Sequence, residues 1–107
     1  MILIVVKFKT RPDWSDRWLD LVHDFTEATR AEPANLWFEW SRSTEDPSEF
    51  VLVEAFKDGG AEPHVNSDHF KTAMRDMRPA LVETPHIINT TIDGAESWSR
   101  MGELSID

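Results

Sequence analysis

Two runs of this chain, Asn35-Leu-Trp-Phe-Glu-Trp-Ser-Arg42 and Phe50-Val-Leu-Val-Glu-Ala-Phe56, are apolar at alternating and at intervening positions, each interrupted by one glutamate. Side chains of a β-strand alternate sides, so Leu36, Phe38 and Trp40 point one way and Trp37 points the other with Glu39. In the second run Phe50, Leu52, Glu54 and Phe56 share a face, opposite Val51, Val53 and Ala55. Ile2 to Lys9 reads as another strand of this kind, with Ile2, Ile4, Val6 and Phe8 against Leu3 and Val5. Both faces of such a sheet need cover. A few helices can supply one face, which leaves the other to a partner subunit and requires a reason for any glutamate that is buried.

Between the strands the periodicity turns helical. Asp13 is a candidate N-cap, and Trp14, Trp18, Leu21, Val22, Phe25 and Ala28 form the stripe of a helix running to about Arg30, ended by Glu32-Pro33-Ala34. Ser43 to Ser48 carries the proline and small polar residues of a hairpin loop, and Lys57-Asp-Gly-Gly60 ends the strand that follows. Glu62-Pro63 can begin a short helix, and Ser67 can cap a second with Phe70, Ala73, Met74 and Met77 on one stripe, disturbed at Pro79. Ile87 to Asp93 reads as a last strand, and Gly94 opens a tail of thirteen further residues. The order strand, helix, strand, strand, helix, strand predicts an α+β fold: a ferredoxin-like split βαβ unit with an antiparallel sheet and both helices on one face. We expect a domain over residues 1–93, and a tail over 94–107 whose Trp98, Met101 and Leu104 lie on the partner of a sheet-to-sheet homodimer.

Composition narrows the function classes. The 107 residues suffice for one core, and contents of 40% hydrophobic and 29% charged residues are those of an ordinary globular protein. The longest apolar run, Met1 to Val6, is too short for a membrane span and lacks the features of a secretory signal, so the expected location is cytoplasmic. The absence of cysteine removes disulfides, thiolate metal sites and thiol nucleophiles. A net charge of −9 without a Lys/Arg cluster argues against nucleic acid as a partner.

Candidate chemistry centres on His64 and Glu54. Histidine is the natural proton acceptor at neutral pH, and at the start of a helix roofing a pocket His64 could meet a phenolic hydroxyl; the bland alternative is a locally bonded surface histidine. His69 lies five positions on, about 140° around an unbroken helix, so the pair cannot chelate one metal from a regular helix, an exclusion that a break at Ser67 weakens. We read His69 as a packing residue over the end of the sheet, and expect no metal. Glu54 suggests either a proton-handling group or a salt bridge to Arg42, Arg75 or Arg78, with the salt bridge favoured. Glu39 goes to solvent or to a dimer rim. Trp14, Trp18, Trp37 and Trp40 are core residues first, with enough flat surface to line a site for a planar aromatic ligand. No Gly-x-Gly-x-x-Gly turn or phosphate loop is present, so no flavin or nicotinamide cofactor is expected.

The run Glu32-Pro-Ala-Asn-Leu-Trp-Phe-Glu-Trp-Ser-Arg-Ser43, the Glu45-Asp-Pro47 loop, Phe50-Val-Leu-Val-Glu54 and His64-Val-Asn-Ser-Asp-His-Phe70 together resemble the antibiotic biosynthesis monooxygenase family, including its quinol monooxygenase-like members. The resemblance is collinear from Met1 to about Asp93. It implies a dimeric α+β barrel with a pocket in each subunit between the sheet and the helices. It further implies oxidation of a quinol or polyphenol by dioxygen without flavin or metal: the substrate is deprotonated to an anion that itself reduces oxygen. The expected base is His64, with Glu54 or Arg42 as polar partners, Phe38 and Trp40 as wall, and Trp18 and His69 as further substrate contacts. The heme-ligating histidine of related heme-degrading enzymes falls near Met74 here, which argues against heme. Two alternatives use the same pocket: an isomerase of a small hydroxy-carbonyl metabolite, and a non-catalytic binding protein for an aromatic metabolite.

Overall fold

The computed structural model describes residues 1–107. Four strands, β1 (Ile2–Lys9), β2 (Asn35–Arg42), β3 (Glu49–Phe56) and β4 (His86–Thr91), form one sheet in the order β2-β3-β1-β4. Every pairing is antiparallel, with β1 central between β3 and β4. Helices α1 (Trp18–Leu21) and α2 (His23–Arg30) connect β1 to β2, and α3 (Ala61–Val65) and α4 (Asp68–Met77) connect β3 to β4. This is the ferredoxin-like α+β arrangement that the element order predicts.

The first helical stretch is not the continuous helix capped by Asp13 that its stripe suggests. Pro12–Trp14 form a 3₁₀ turn with no side-chain cap, and α1 and α2 are separated at Val22. The Asp13 carbonyl, which a regular helix would offer to the Arg17 N–H, instead accepts two bonds from the Arg17 guanidinium, at 3.0 and 3.2 Å. The Arg17 N–H turns to the Trp14 carbonyl. The apolar stripe survives the break, since Trp18, Val22 and Phe25 are all buried.

The core lies between the helices and one sheet face, where Val6 and Phe8 of β1, Phe50, Leu52 and Phe56 of β3 and Phe38 of β2 are buried. Phe8, Trp18, Phe38, Trp40 and Phe50 form a connected aromatic cluster, with ring centroids 5.2 to 6.1 Å apart. The Trp40 indole N–H donates to Thr26 Oγ1 at 2.9 Å, which satisfies its polar edge within the packing. A register shift between Asn35 and Trp37 leaves Leu36 without a partner, so it does not continue the Phe38–Trp40 face.

The opposite face has no helix. Leu3, Val5, Trp37, Val51 and Val53 are only half-buried there, and Ile88 is exposed. The tail returns over this face far enough for Trp98 to pack on Trp37, ring centroids 5.4 Å apart, while Trp98, Met101 and Leu104 stay largely exposed.

Gly60 sets the entry to α3. A Cβ at this position would lie 2.6 Å from Ala34 Cβ and 2.9 Å from the Lys57 carbonyl oxygen, so only glycine lets the end of β3 pass this close to the segment before β2. The Lys57 N–H also donates to the Ala34 carbonyl at 2.9 Å. These contacts fix α3, and with it His64, against the Glu32–Ala34 corner.

Candidate active site

A cavity of about 570 Å³ opens between the sheet and helices α3 and α4, a size suited to a small aromatic molecule. Its floor includes Ile2, Ile4 and Val6, and Phe25, Phe70 and Met77 contribute to its walls. The ionisable side chains lining it are those of Glu54 and His64.

His64 comes from α3, and its ring is caged by Phe25, Phe56 and Phe70, with centroids 5.7, 4.9 and 5.2 Å away. It is 3% exposed. Its Nδ1 lies 2.7 Å from Glu32 Oε2, and its Nε2 lies 3.7 Å from Glu54 Oε1. A carboxylate can only accept, so Nδ1 is the donor to an ionised Glu32, and in the neutral imidazole Nε2 then carries the lone pair, towards Glu54. The 3.7 Å separation is too long for a direct hydrogen bond, yet short enough for one substrate hydroxyl to lie within bonding reach of both groups.

Glu54 is 5% exposed on an otherwise apolar row of β3. Burial, and secondarily the negative charge of Glu32, push its carboxyl up to about 7. It is thus poised to exchange a proton near neutrality. The salt bridge expected from Arg42, Arg75 or Arg78 does not form. Arg42 turns outward to the Pro47 carbonyl and to Asp16 Oδ1, and Arg75 pairs with its neighbour Asp76. Arg78 follows α4 and is itself exposed, at the start of a 3₁₀ turn. A guanidinium would have held the carboxyl ionised; the apolar surroundings favour its neutral form instead.

His69 joins the same cluster from the far side. The break between α3 and α4, where Ser67 caps α4 by accepting from the Phe70 N–H, turns the second histidine back so that its Nε2 meets Glu32 Oε2 at 2.6 Å. One carboxylate oxygen therefore serves both histidines. His69 also faces the Phe25 ring, at 6.3 Å, but lies outside the cavity lining, so its packing role fits the geometry better than substrate contact.

Glu32, His64 and His69 offer three ligand-type atoms within 4.8 Å of one another, a convergence not anticipated from their spacing. Their 2.6 and 2.7 Å contacts are hydrogen-bond lengths. Two atoms bound at 2.0–2.1 Å to one tetrahedral zinc ion would stand about 3.3 Å apart, so each Glu32–histidine contact is shorter than such coordination would hold it.

The other expected substrate contacts sit elsewhere. Phe38 is fully buried behind His64, with ring centroids 6.4 Å apart, and Trp18 and Trp40 belong to the aromatic cluster rather than to the lining. Arg42 is on the exposed end of β2 beside Asp16. The cavity lies further towards β1 and β4 than the aromatic-rich second strand suggests. Glu32 is the residue that sequence reasoning missed as a site group: at the end of a helix before proline it reads as a terminator, and no spacing rule connects it to a histidine 32 positions later.

Comparison with solved structures gives the same fold. An antibiotic biosynthesis monooxygenase crystal structure is 20% identical, with 86% of this chain and 98% of that chain covered and a TM-score of 0.78. Rv0793 from Mycobacterium tuberculosis is 20% identical over 90% of this chain and 98% of its own, with a TM-score of 0.79. A conserved protein from Methanosarcina mazei Go1 is 22% identical over 83% and 89%, with a TM-score of 0.78. No curated protein matches the chain. No helix is long and apolar enough to cross a membrane. The family model for antibiotic biosynthesis monooxygenases matches residues 1–76, which takes in Glu32, Glu54, His64 and His69, and the chain belongs to that family.

Proposed function

We propose that this protein is a monooxygenase that oxidises a quinol-like aromatic with dioxygen, using a proton-transfer pair and no resident cofactor. The observation that carries the reading is the buried Glu54–His64 pair in an otherwise largely apolar cavity of aromatic-ligand size. Family membership supports the oxygenase class. The substrate class rests on the chemistry of the pair.

In this mechanism a phenolic hydroxyl binds between His64 Nε2 and Glu54, and the imidazole takes its proton while Glu32 holds the ring in the required tautomer. The apolar walls keep water away from the resulting anion. The anion passes one electron to dioxygen, and recombination of the radical pair forms a C–O bond at a ring carbon. That carbon then loses its hydrogen as a proton, the O–O bond breaks, and the departing oxygen collects this proton and the one held by His64. The products are a quinone and one water, so substrate and oxygen balance with the base restored.

Oxygen uptake with a panel of quinols tests this directly. One oxygen molecule should be consumed per quinone formed, and with ¹⁸O₂ one label should appear in the product and one in water. Ligand binding without oxygen uptake overturns the oxygenase reading.

We also propose a homodimer joined through the open sheet face, because Leu3, Val5, Trp37, Val51, Val53 and Ile88 form a continuous apolar surface there. Sedimentation should return twice the 12.3 kDa chain mass, with the tail protected from proteolysis. A stable monomer at micromolar concentration contradicts it.

A further inference from the structure

The cavity has a second polar end that the proton-transfer pair does not use. In β4, Asn89 is the register partner of Ile4, and on its other side Ile4 pairs with Glu54. Residues opposite one another in antiparallel strands share a face. Ile4 lies on the face of buried Val6 and Phe8, so Glu54 and Asn89 stand in one row across the sheet with Ile4 between them, all towards the cavity. Two strand spacings separate their backbones, about 9–10 Å. Ile2 and Val6 extend the apolar floor on either side of Ile4. Thr90 and Thr91, next along β4, also border the cavity; Thr91 pairs with Ile2 and shares the Asn89 face, while Thr90 pairs with Leu3.

The site is therefore bipolar across an aliphatic strip: an acid–base pair on one side, and on the other a neutral carboxamide directly across from Glu54, with Thr91 two residues along the strand. A carboxamide contains both an acceptor oxygen and donor hydrogens. It can accept from a hydroxyl and, after reorientation, donate to a carbonyl. That matches a ring oxygen that changes from one to the other during oxidation, whereas a fixed charge at this place would favour one oxidation state.

We propose that Asn89 is the second anchor of the substrate, so that the cavity selects ring compounds bearing oxygens on opposite edges, one on the Glu54–His64 pair and one on Asn89. This specificity assignment rests on the proposed quinol chemistry. A hydrogen bond of ordinary net strength corresponds to a preference of about tenfold over an analogue lacking the second oxygen.

The test is anaerobic calorimetric titration of the intact protein with 1,4-naphthohydroquinone and with 1-naphthol, which share a ring system and differ by that oxygen. Wild-type protein should bind the hydroquinone about tenfold more tightly. Asn89→Leu should erase the preference by weakening the hydroquinone alone, while Lys71→Gln, exposed on α4 outside the cavity lining, should preserve it. Asn89 lies exposed on an edge strand and leucine suits a strand, so the variant should fold, as circular dichroism would verify. Equal wild-type affinities, or a preference that survives Asn89→Leu, overturn the assignment. Oxygen uptake separates this from the activity itself: turnover without the preference removes the role of Asn89 alone, the preference without turnover removes the oxygenase reading alone, and binding of neither compound removes both.

Discussion

Replacing His64 with Asn should lower quinol turnover by about 10²–10⁴-fold, the usual contribution of a general base, with little loss of fold. Asparagine is chosen because its amide N–H can stand near the position of Nδ1 and keep donating to Glu32, while nothing replaces Nε2. Alanine would confuse two effects, because His64 is buried within the ring cage of Phe25, Phe56 and Phe70 and its removal would open a cavity there. A substitution at His69 makes the complementary variant. An apolar replacement is needed at this position, since a glutamine N–H would stand in for Nε2: His69→Leu should lower thermal stability more than turnover, because it loses a bond to Glu32 at the partly exposed end of the cluster while the Glu32–His64 contact remains. Initial rates of oxygen uptake and melting temperatures, measured on both variants, separate the two roles. If His64→Asn retained full activity, Nε2 would not be the base and Glu54 would take its place.

The reach of the sequence followed the range of the interactions involved. Strand periodicity depends on neighbours two residues apart, and β1, β2 and β3 lie within a residue of the runs that predict them. The Ser67 cap was legible for the same reason, since its partner is the Phe70 N–H three residues away. The helix before β2 failed locally because a side chain, Arg17, competed with the backbone for the Asp13 carbonyl, a choice that periodicity does not register. The site was half legible. A lone glutamate on an apolar strand face and a histidine on the facing helix stood out as chemistry, but their relation to Glu32 and His69 depends on Gly60, Ala34 and the break at Ser67, which combine three separate chain segments. Aromatic content misled the choice of pocket wall: Trp18, Phe38 and Trp40 pack against one another, and the cavity opens instead where the aliphatic residues of β1 meet β4.

Glu54→Gln should make the protein more stable at alkaline pH and scarcely change it in acid. The folded protein holds the Glu54 proton up to about pH 7, against a reference value of 4.5, chiefly because the carboxyl is buried and then because Glu32 is nearby. Below pH 4.5 both folded and unfolded chains carry this proton, and the group adds no pH dependence. Between 4.5 and 7 the unfolded chain binds fewer protons than the folded one, so stability declines as pH rises; above 7 the loss is complete. A gap of about 2.5 pH units, at 1.36 kcal/mol each, sets the full penalty near 3 kcal/mol. Glutamine has nearly the same shape and never ionises, so the variant should gain about 2–3 kcal/mol at pH 8, on the order of 10 °C in melting temperature, and almost nothing at pH 4.5. The charged and titratable groups facing Glu54 are His64 from α3 and Glu32 behind it; β1 and β2 present Ile4 and Phe38. A protonated His64 would reduce the penalty, and a variant less stable than wild type at pH 8 would mean that Glu54 is ionised and held by that charge. The same substitution should slow turnover by removing one of the two proton-handling groups in the cavity. Stability gained above pH 7 together with activity lost would identify Glu54 as a carboxyl kept in an unfavourable site for its chemistry.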